Sequence, residues 1–545
     1  MVLLQRFFRF IFRGIELSVL ALTLFFKQTY HDEKGFECGL TNPVRLRLFC
    51  EQAGGAFIKF GQILSLRNDL LSPSYTEELL ALLSNVPPTP LFEMEKVFIE
   101  EFGKPPELYF KTFDATPVGS ASIAQVYRAT LETGESVAVK IKRPDIDEIF
   151  ERDFVIISFA VDVLGIFYIV KALRLKEVVL MFITWTKHEL DFRHEALNMA
   201  AIFKHAEKHP DTVVPKVYAD KSTSRVLINE YLSDDAISVS RIIKELKKNP
   251  SFRGVLRERY NIDLERMANY LIEDIMRQIF IDGFFHADPH PSNIYFLPGN
   301  KLAYIDFGIV GEASERRLHL LHFARGIAKK DIHNAAKSFI AYSHNILEEE
   351  LSIFRQQKND SSKKLKEALD KIEEIITENF ERDMHAILLP WYDALANSKE
   401  STSPEASVNS KNMWQNKNSS VVFAKFVLAI RAYGFYVPKE VLFFFRTIAI
   451  IDMVALHLDA QFNLITATNL FFEKNSFSDL EKIIADETHK KELSVSIPPE
   501  TQESFEELIE MRVIEREKLH RAQEILEELI AHYAEHYKEV RALLK

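Results

Sequence analysis

Glycine is scarce, cysteine almost missing, and there is no surplus of positive charge. Glycine supplies only 17 of 545 residues, too few for turn-rich β architecture, so long helices are expected. Two cysteines, Cys38 and Cys50, rule out a disulfide scaffold and suit a reducing compartment. A formal net charge of −11 gives nucleic-acid binding no global support, and no nucleic-acid partner is expected. Long uninterrupted apolar runs are lacking too. Leu17 to Phe26 is too short to span a bilayer, and Val441 to Leu456 is broken by Arg446 and Asp452 and reads as a buried helix. What the chain does have is hydrocarbon: 47% of residues are hydrophobic and 43 are phenylalanine, enough at this length for two to four structural units.

The most informative stretch is Gly283-Phe284-Phe285-His286-Ala287-Asp288-Pro289-His290-Pro291-Ser292-Asn293-Ile294, followed by Tyr304-Ile305-Asp306-Phe307-Gly308. Phosphoryl transfer from ATP needs a carboxylate near the acceptor, oxygen donors for Mg²⁺ and a lysine on the phosphates. Asp288 and Asn293 have the spacing of the kinase H-x-D-x-x-x-x-N loop, and Asp306 opens a D-F-G. Two short strands around the turn Leu297-Pro298-Gly299-Asn300 would bring Asn293 and Asp306 to one metal. A D-F-G alone is common, and most Asp-Pro pairs are only turns. His286 and His290 have the spacing of a zinc pair, but intervening prolines oppose the helix this requires and no glutamate follows His286. Both motifs in order are far more specific than either one.

From the start of the chain, Arg6, Arg9 and Arg13 recur at helical spacing among apolar residues. A secretory signal would show a similar pattern, but no small-residue cleavage site follows. The segment is read as an amphipathic helix on an anionic membrane surface, with packing against the protein's own core as the plain alternative. Helical character follows over 44–85 and includes Lys59-Phe60-Gly61-Gln62. Taken alone, Lys59 would be an ordinary solvated lysine.

Residues 108–142 switch to strand character. The turn Gly119-Ser120-Ala121-Ser122 is small enough for backbone N–H groups to approach phosphates, though it also suits a tight hairpin. Beyond Val126, the strand Val137-Ala138-Val139-Lys140 resembles V-A-I-K, and a mid-strand ammonium needs a partner. Glu189 and Glu195, on a helix expected over Thr184–Phe203, are both candidates. Val213–Tyr218 and Arg225–Leu232 are expected to complete a five-stranded sheet, with Glu230 to Leu232 as the hinge whose backbone would meet adenine. After 232 the pattern is helical, beginning with an amphipathic helix over Leu264–Ile281. Residues 397–420 are polar and expected to be mobile. The last helix, from about 503, carries a seam able to form a coiled coil or self-associate.

With these residues quoted, the chain resembles the UbiB/aarF (ADCK-like) family of atypical, protein-kinase-like ATP-binding proteins over roughly 45–475. The KxGQ signature is matched by Lys59 to Gln62, the alanine-rich loop by Gly119 to Ser122, and the ExD element by Glu189-Leu190-Asp191. The resemblance implies an α+β, protein-kinase-like two-lobe fold with a five-stranded N-lobe sheet, a mostly helical C-lobe and added terminal helices. The divisions expected are a membrane-surface helix over 1–43, a KxGQ extension over 44–107, the N-lobe over 108–232, the C-lobe over 233–475 and a charged helical region over 476–545. It also implies that Lys59 reaches toward Glu189 and Asp191, that Lys140 pairs with Glu189 while holding phosphates, and that the KxGQ helix covers the place of a peptide substrate. Asn293 and Asp306 would hold Mg²⁺ and Asp288 would act on the acceptor.

The resemblance further implies ATP and Mg²⁺ as cofactors, an isoprenoid or quinone lipid as partner, and a peripheral position on the inner face of a membrane in the cytoplasm or another ATP-containing compartment. Two departures matter. Gly119 stands where many members have alanine, and the charged segment after 500 replaces the transmembrane pair of many bacterial members, so membrane attachment is expected to use another surface. The competing expectations are a nucleotide-controlled lipid-binding scaffold and a conventional protein or small-molecule kinase.

Overall fold

A computed structural model describes residues 2–27, 29–31, 37–64, 71, 73–79, 82, 88–164, 175–312, 317–342, 360–396, 417–433, 439–494, 531, 535 and 538. Most of the polar segment 397–420 and nearly all of the C-terminal seam lie outside these residues. The chain is α+β and divides into two compact units. The first comprises Met1–Ala236 with Ala303–Ile309; the second comprises Ile237–Leu302 with Val310–Lys545.

The first unit is built on a five-stranded antiparallel sheet. Ala124–Thr130 pairs along its whole length with Ser136–Lys142, which in turn pairs with Val226–Glu230. Alternation explains this arrangement, since Val137, Val139 and Ile141 all point into one core, fully buried with Tyr127, Val226 and Ile228. The turn between the first two strands runs through Gly134 at φ 101°, a conformation that favours glycine.

Two expectations fail here. Leu108 belongs to a helical turn, Pro106–Tyr109, because the prolines before it start a helix better than a strand. The fifth strand is Gly119–Ser120, not Val213–Tyr218. Residues 216–218 run beside Val226–Glu230 with a single bridge, Val217 to Asn229, and two flanking backbone hydrogen bonds.

Helices flank the sheet. Asn42–Ala53 and Gly55–Leu64 are separated by Gly54, and the second carries the KxGQ residues. The helix expected over Thr184–Phe203 is two helices, Leu175–Leu190 and Phe192–Ala206. Asp191 breaks them: its carboxylate accepts from the Arg193 N–H at 3.0 Å and caps the second helix.

In the second unit, the helix Leu264–Arg277 is capped by Asp263 and continues as a wider π-helical turn, Gln278–Asp282, so that helical structure covers the expected Leu264–Ile281. Phe284–His286 pairs antiparallel with Val310–Glu312, and Ile294–Leu297 pairs with Ile237–Ser238. The turn expected at 297–300 is present, with Gly299 and Asn300 both at positive φ, the chemistry of a tight hairpin. Long helices follow, among them Asp360–Ala396 and Lys439–Leu458. By length and composition, Glu440–Leu458 could cross a membrane, and 61% of that window is buried in the fold.

Candidate functional site

The functional residues fall into two sets, one in each unit. In the first unit, the sheet register places Val126 opposite Lys140 and Lys140 opposite Leu227. The Lys140 ammonium donates to both oxygens of Glu195, at 2.9 and 2.8 Å, and to Asp306 at 3.4 Å. Burial opposes its charge, but the carboxylates of Asp306 and Glu195 outweigh that and hold its pKa above the ordinary value. Burial pushes Glu195 up to about 7 against the pull of Lys140, with Asp306 adding repulsion. The implied pairing of Lys140 with Glu189 is therefore corrected to Glu195.

Glu189 is paired instead with Lys59, as the resemblance implied for Lys59. Asp191 does not meet Lys59; its carboxylate is held by Arg193. One break thus sorts two glutamates onto two lysines. Gln62 donates to the Leu82 carbonyl at 2.9 Å, which ties the KxGQ helix to the segment after it. Gly61 is closely packed: a Cβ there would collide with the end of the Leu82 side chain and lie 3.0 Å from the Cys50 sulfur, so a neighbour would have to shift.

Asp306 accepts the Gly308 N–H at 3.0 Å, while Phe307 is fully buried and its carbonyl takes the Asn198 amide at 2.9 Å. The small-residue turn is held by Arg143, which sequence reasoning missed. Its guanidinium donates to the Ala121 carbonyl, the Ser120 hydroxyl and the Thr89 hydroxyl. Ser122 is half-buried beside it. A Cβ on Gly119 would meet nothing nearer than Val126 at 4.0 Å, so alanine fits there equally well. At the hinge, the Glu230 carbonyl accepts the Asn229 amide at 2.9 Å, its N–H donates to the Lys216 carbonyl, and Leu232 is half-buried two residues beyond.

The second unit carries the loop. Buried His286 donates its backbone N–H to Gln278, and Gln278 donates to buried Asp274, which also takes Arg277. The loop folds on itself: the Asp288 N–H donates to His286 Nδ1 at 3.1 Å, and the Asn293 amide donates to the Asp288 carbonyl at 3.2 Å. That bond uses the nitrogen of Asn293, and its amide oxygen accepts from the Ser292 hydroxyl at 3.5 Å. Arg446, from the helix Lys439–Leu458, donates to the Asp288 carboxylate at 2.7 Å. Burial holds His290 below its ordinary pKa, and the Arg446 charge adds to this against the pull of Asp288.

Among the described residues, no group of three or more His, Cys, Asp or Glu side chains could hold a metal. An amide oxygen such as that of Asn293 and a carboxylate such as that of Asp306 are, each by itself, the hard kind of donor that suits Mg²⁺, which also takes water and phosphate oxygens.

A strand lysine held by a helix glutamate and a D-F-G aspartate, with a self-bonded H-x-D-x-x-x-x-N loop, defines a kinase-like chain. The ABC1 atypical kinase-like domain matches residues 81–339. An uncharacterized protein of Synechocystis sp. is 34% identical over 287 residues, 52% of this chain and 68% of that protein. A probable protein kinase UbiB of Marinobacter nauticus is 34% identical over 277 residues, 50% of this chain and 48% of that one. The solved structure of a Mycobacterium tuberculosis protein, Rv3197, in complex with erythromycin is similar with a TM-score of 0.39 and 28% identity, covering 54% of this chain and 71% of that one. The chain belongs to the ABC1 atypical kinase-like family. It spans about two thirds of the first relative and about half of the second.

Proposed function

We propose that the chain binds Mg-ATP and cleaves its terminal phosphoryl group as an atypical kinase or ATPase of the UbiB type. The observation that carries this is the Lys140 ammonium, buried mid-strand and shared between Glu195 and Asp306. An ammonium fixed in that way is suited to gripping α/β-phosphates, and Glu195 sets its position. Ser120, Ala121 and Ser122 offer a small-residue turn over phosphates, and the backbone of 230–232 offers the adenine contact.

Asp288 would orient a water or hydroxyl group, whose oxygen bonds to the γ-phosphorus as the bond to the bridging oxygen breaks and ADP leaves. The proton released from that oxygen passes to Asp288 and then to phosphate. Mg²⁺ on Asn293 and Asp306 would neutralise charge on the phosphate oxygens. Asp306→Asn is expected to abolish Mg-ATP turnover in purified protein, measured as phosphate release; retained turnover would remove the mechanism.

The acceptor in this reading is a small or lipid molecule, in support of ubiquinone or other isoprenoid-lipid synthesis at a membrane surface. The Lys59–Glu189 pair supports this reading, because it fastens the KxGQ helix to the helix Leu175–Leu190, and a helix held there would leave poor access for a peptide. The same pair favours a second reading, a scaffold in which nucleotide controls release of that helix and thereby lipid binding. Hydrolysis-dead protein that supports lipid synthesis as well as the wild type would favour the scaffold. A membrane surface fits the N-terminal helix Val2–Phe26, whose Phe12, Ile15, Val19, Leu22 and Phe26 lie exposed.

A further inference from the structure

Arg446 is chemically out of place. It sits in the apolar helix Lys439–Leu458 among Phe444, Phe445 and Ile448, all buried. A guanidinium has five N–H donors, and burying one without partners is costly. One of its nitrogens donates to Asp288 at 2.7 Å. The other two, Nε and Nη1, are buried and have no hydrogen-bond partner among the described residues. Each unmade bond costs roughly 1–3 kcal/mol, and a buried pair of this type is often replaced by apolar side chains without loss of stability. Stability therefore gives no account of an arginine here. The Asp288 carboxylate does: it is only partly exposed, at 26% of its side chain, and its Oδ1 accepts from the guanidinium.

We infer that Arg446 is a positioning residue for Asp288. Resting on the phosphoryl-transfer reading above, it clamps Oδ1 and so leaves Oδ2 as the oxygen that receives the acceptor's proton. The backbone side of the loop is already fixed, because the Asp288 N–H is held by His286 and its carbonyl by Asn293. The carboxylate rotation is the freedom that remains, and Arg446 removes it. Positioning errors of about 1 Å in such a group cost about 100-fold in rate.

The test uses the full chain and three variants, with phosphate release from Mg-ATP, nucleotide affinity and thermal unfolding measured on each. Arg446→Met removes two unpaired buried donors but also takes the cation from the partly exposed Asp288 carboxylate. The two effects oppose each other, and the variant should unfold within a few degrees of wild type. It should also lose about 10- to 100-fold in kcat with KM and Kd for ATP unchanged. Arg446→Lys, which restores a charge but not the fork, should fall between Met and wild type. Asp288→Asn should be inactive and bind nucleotide. Wild-type kcat in Arg446→Met beside an inactive Asp288→Asn overturns the role of Arg446 alone. A lowered unfolding temperature with weakened nucleotide binding in both Arg446 variants makes the arginine structural and also overturns it. Turnover retained by Asp288→Asn brings down the phosphoryl-transfer reading and this inference together.

Discussion

Lys140 and Glu195 each exist in their buried setting only because of the other. Removing the lysine leaves a carboxylate, 4% exposed on its side chain, with no counter-charge. Breaking a buried pair from one side costs about 3–5 kcal/mol. Lys140→Met should therefore unfold at a lower temperature than wild type, and adding Glu195→Gln should recover part of the loss. The pH dependence has a definite sign. Glu195 titrates near 7 in the folded chain, above the ordinary 4.5, and without Lys140 it shifts further up. A carboxylate raised in this way contributes fully below its unfolded pKa and loses that contribution as pH rises through the folded one. The deficit of Lys140→Met should be larger at pH 8 than at pH 5; an equal deficit at both would show that the carboxylate is not the cause. Residue types alone did not reveal which glutamate Lys140 takes. The signal was Asp191 followed by Phe192 and Arg193, an N-cap that ends one helix and starts another.

Among elements, the central strands of the first unit were legible in the sequence, whereas the sheet's edges and the helix break at Asp191 were not. The run Val137 to Lys142 alternates cleanly, and its strand and partners match that alternation. Arg446 and Asp452 were legible only as interruptions of an apolar run, because the partners they find are distant in sequence. Asp452 accepts the Ser419 N–H at 2.8 Å, at the first turn of the helix Ser419–Ala432, and burial lifts its pKa to about 6. Its contribution is complete below the ordinary 3.8 and is lost as pH rises through about 6. Asp452→Asn keeps an oxygen for Ser419 and cannot ionise. Its unfolding temperature, relative to wild type, should rise by a few degrees between pH 4.5 and pH 8. A difference that does not change with pH would mean the carboxylate stays neutral or finds a cation.

For the molecule as a whole, the N-terminal helix is the feature that the pattern described least well. Three arginines at helical spacing suggested a basic face toward lipid. Instead, Arg13 turns inward, donating to Asp153 at 3.2 Å and to the Ala53 carbonyl. Asp153, fully buried, also takes the Ala56 N–H at 3.3 Å and so holds the start of the KxGQ helix. The side chains of Arg6 and Arg9 lie outside the described residues. The outward face is apolar, with Phe12 69% and Phe25 70% exposed, and the helix Ile146–Leu164 likewise exposes Val155, Phe159 and Val163. Faces of this kind mark surfaces that something covers. Replacing Phe12, Val19 and Phe25 together by serine should reduce co-sedimentation with anionic vesicles several-fold and leave nucleotide affinity intact. Undiminished sedimentation would refute lipid contact through this face.

That outward hydrocarbon also bears on how the isolated chain behaves in solution. Its net charge of −11 keeps copies apart by mutual repulsion, which added salt screens within about 8 Å at 0.15 M, whereas exposed phenylalanine rings are not shielded in this way. Colloidal stability should accordingly worsen as ionic strength rises, the reverse of what a basic, charge-driven adhesion would do, and mild detergent should restore it where dilution of the salt also does.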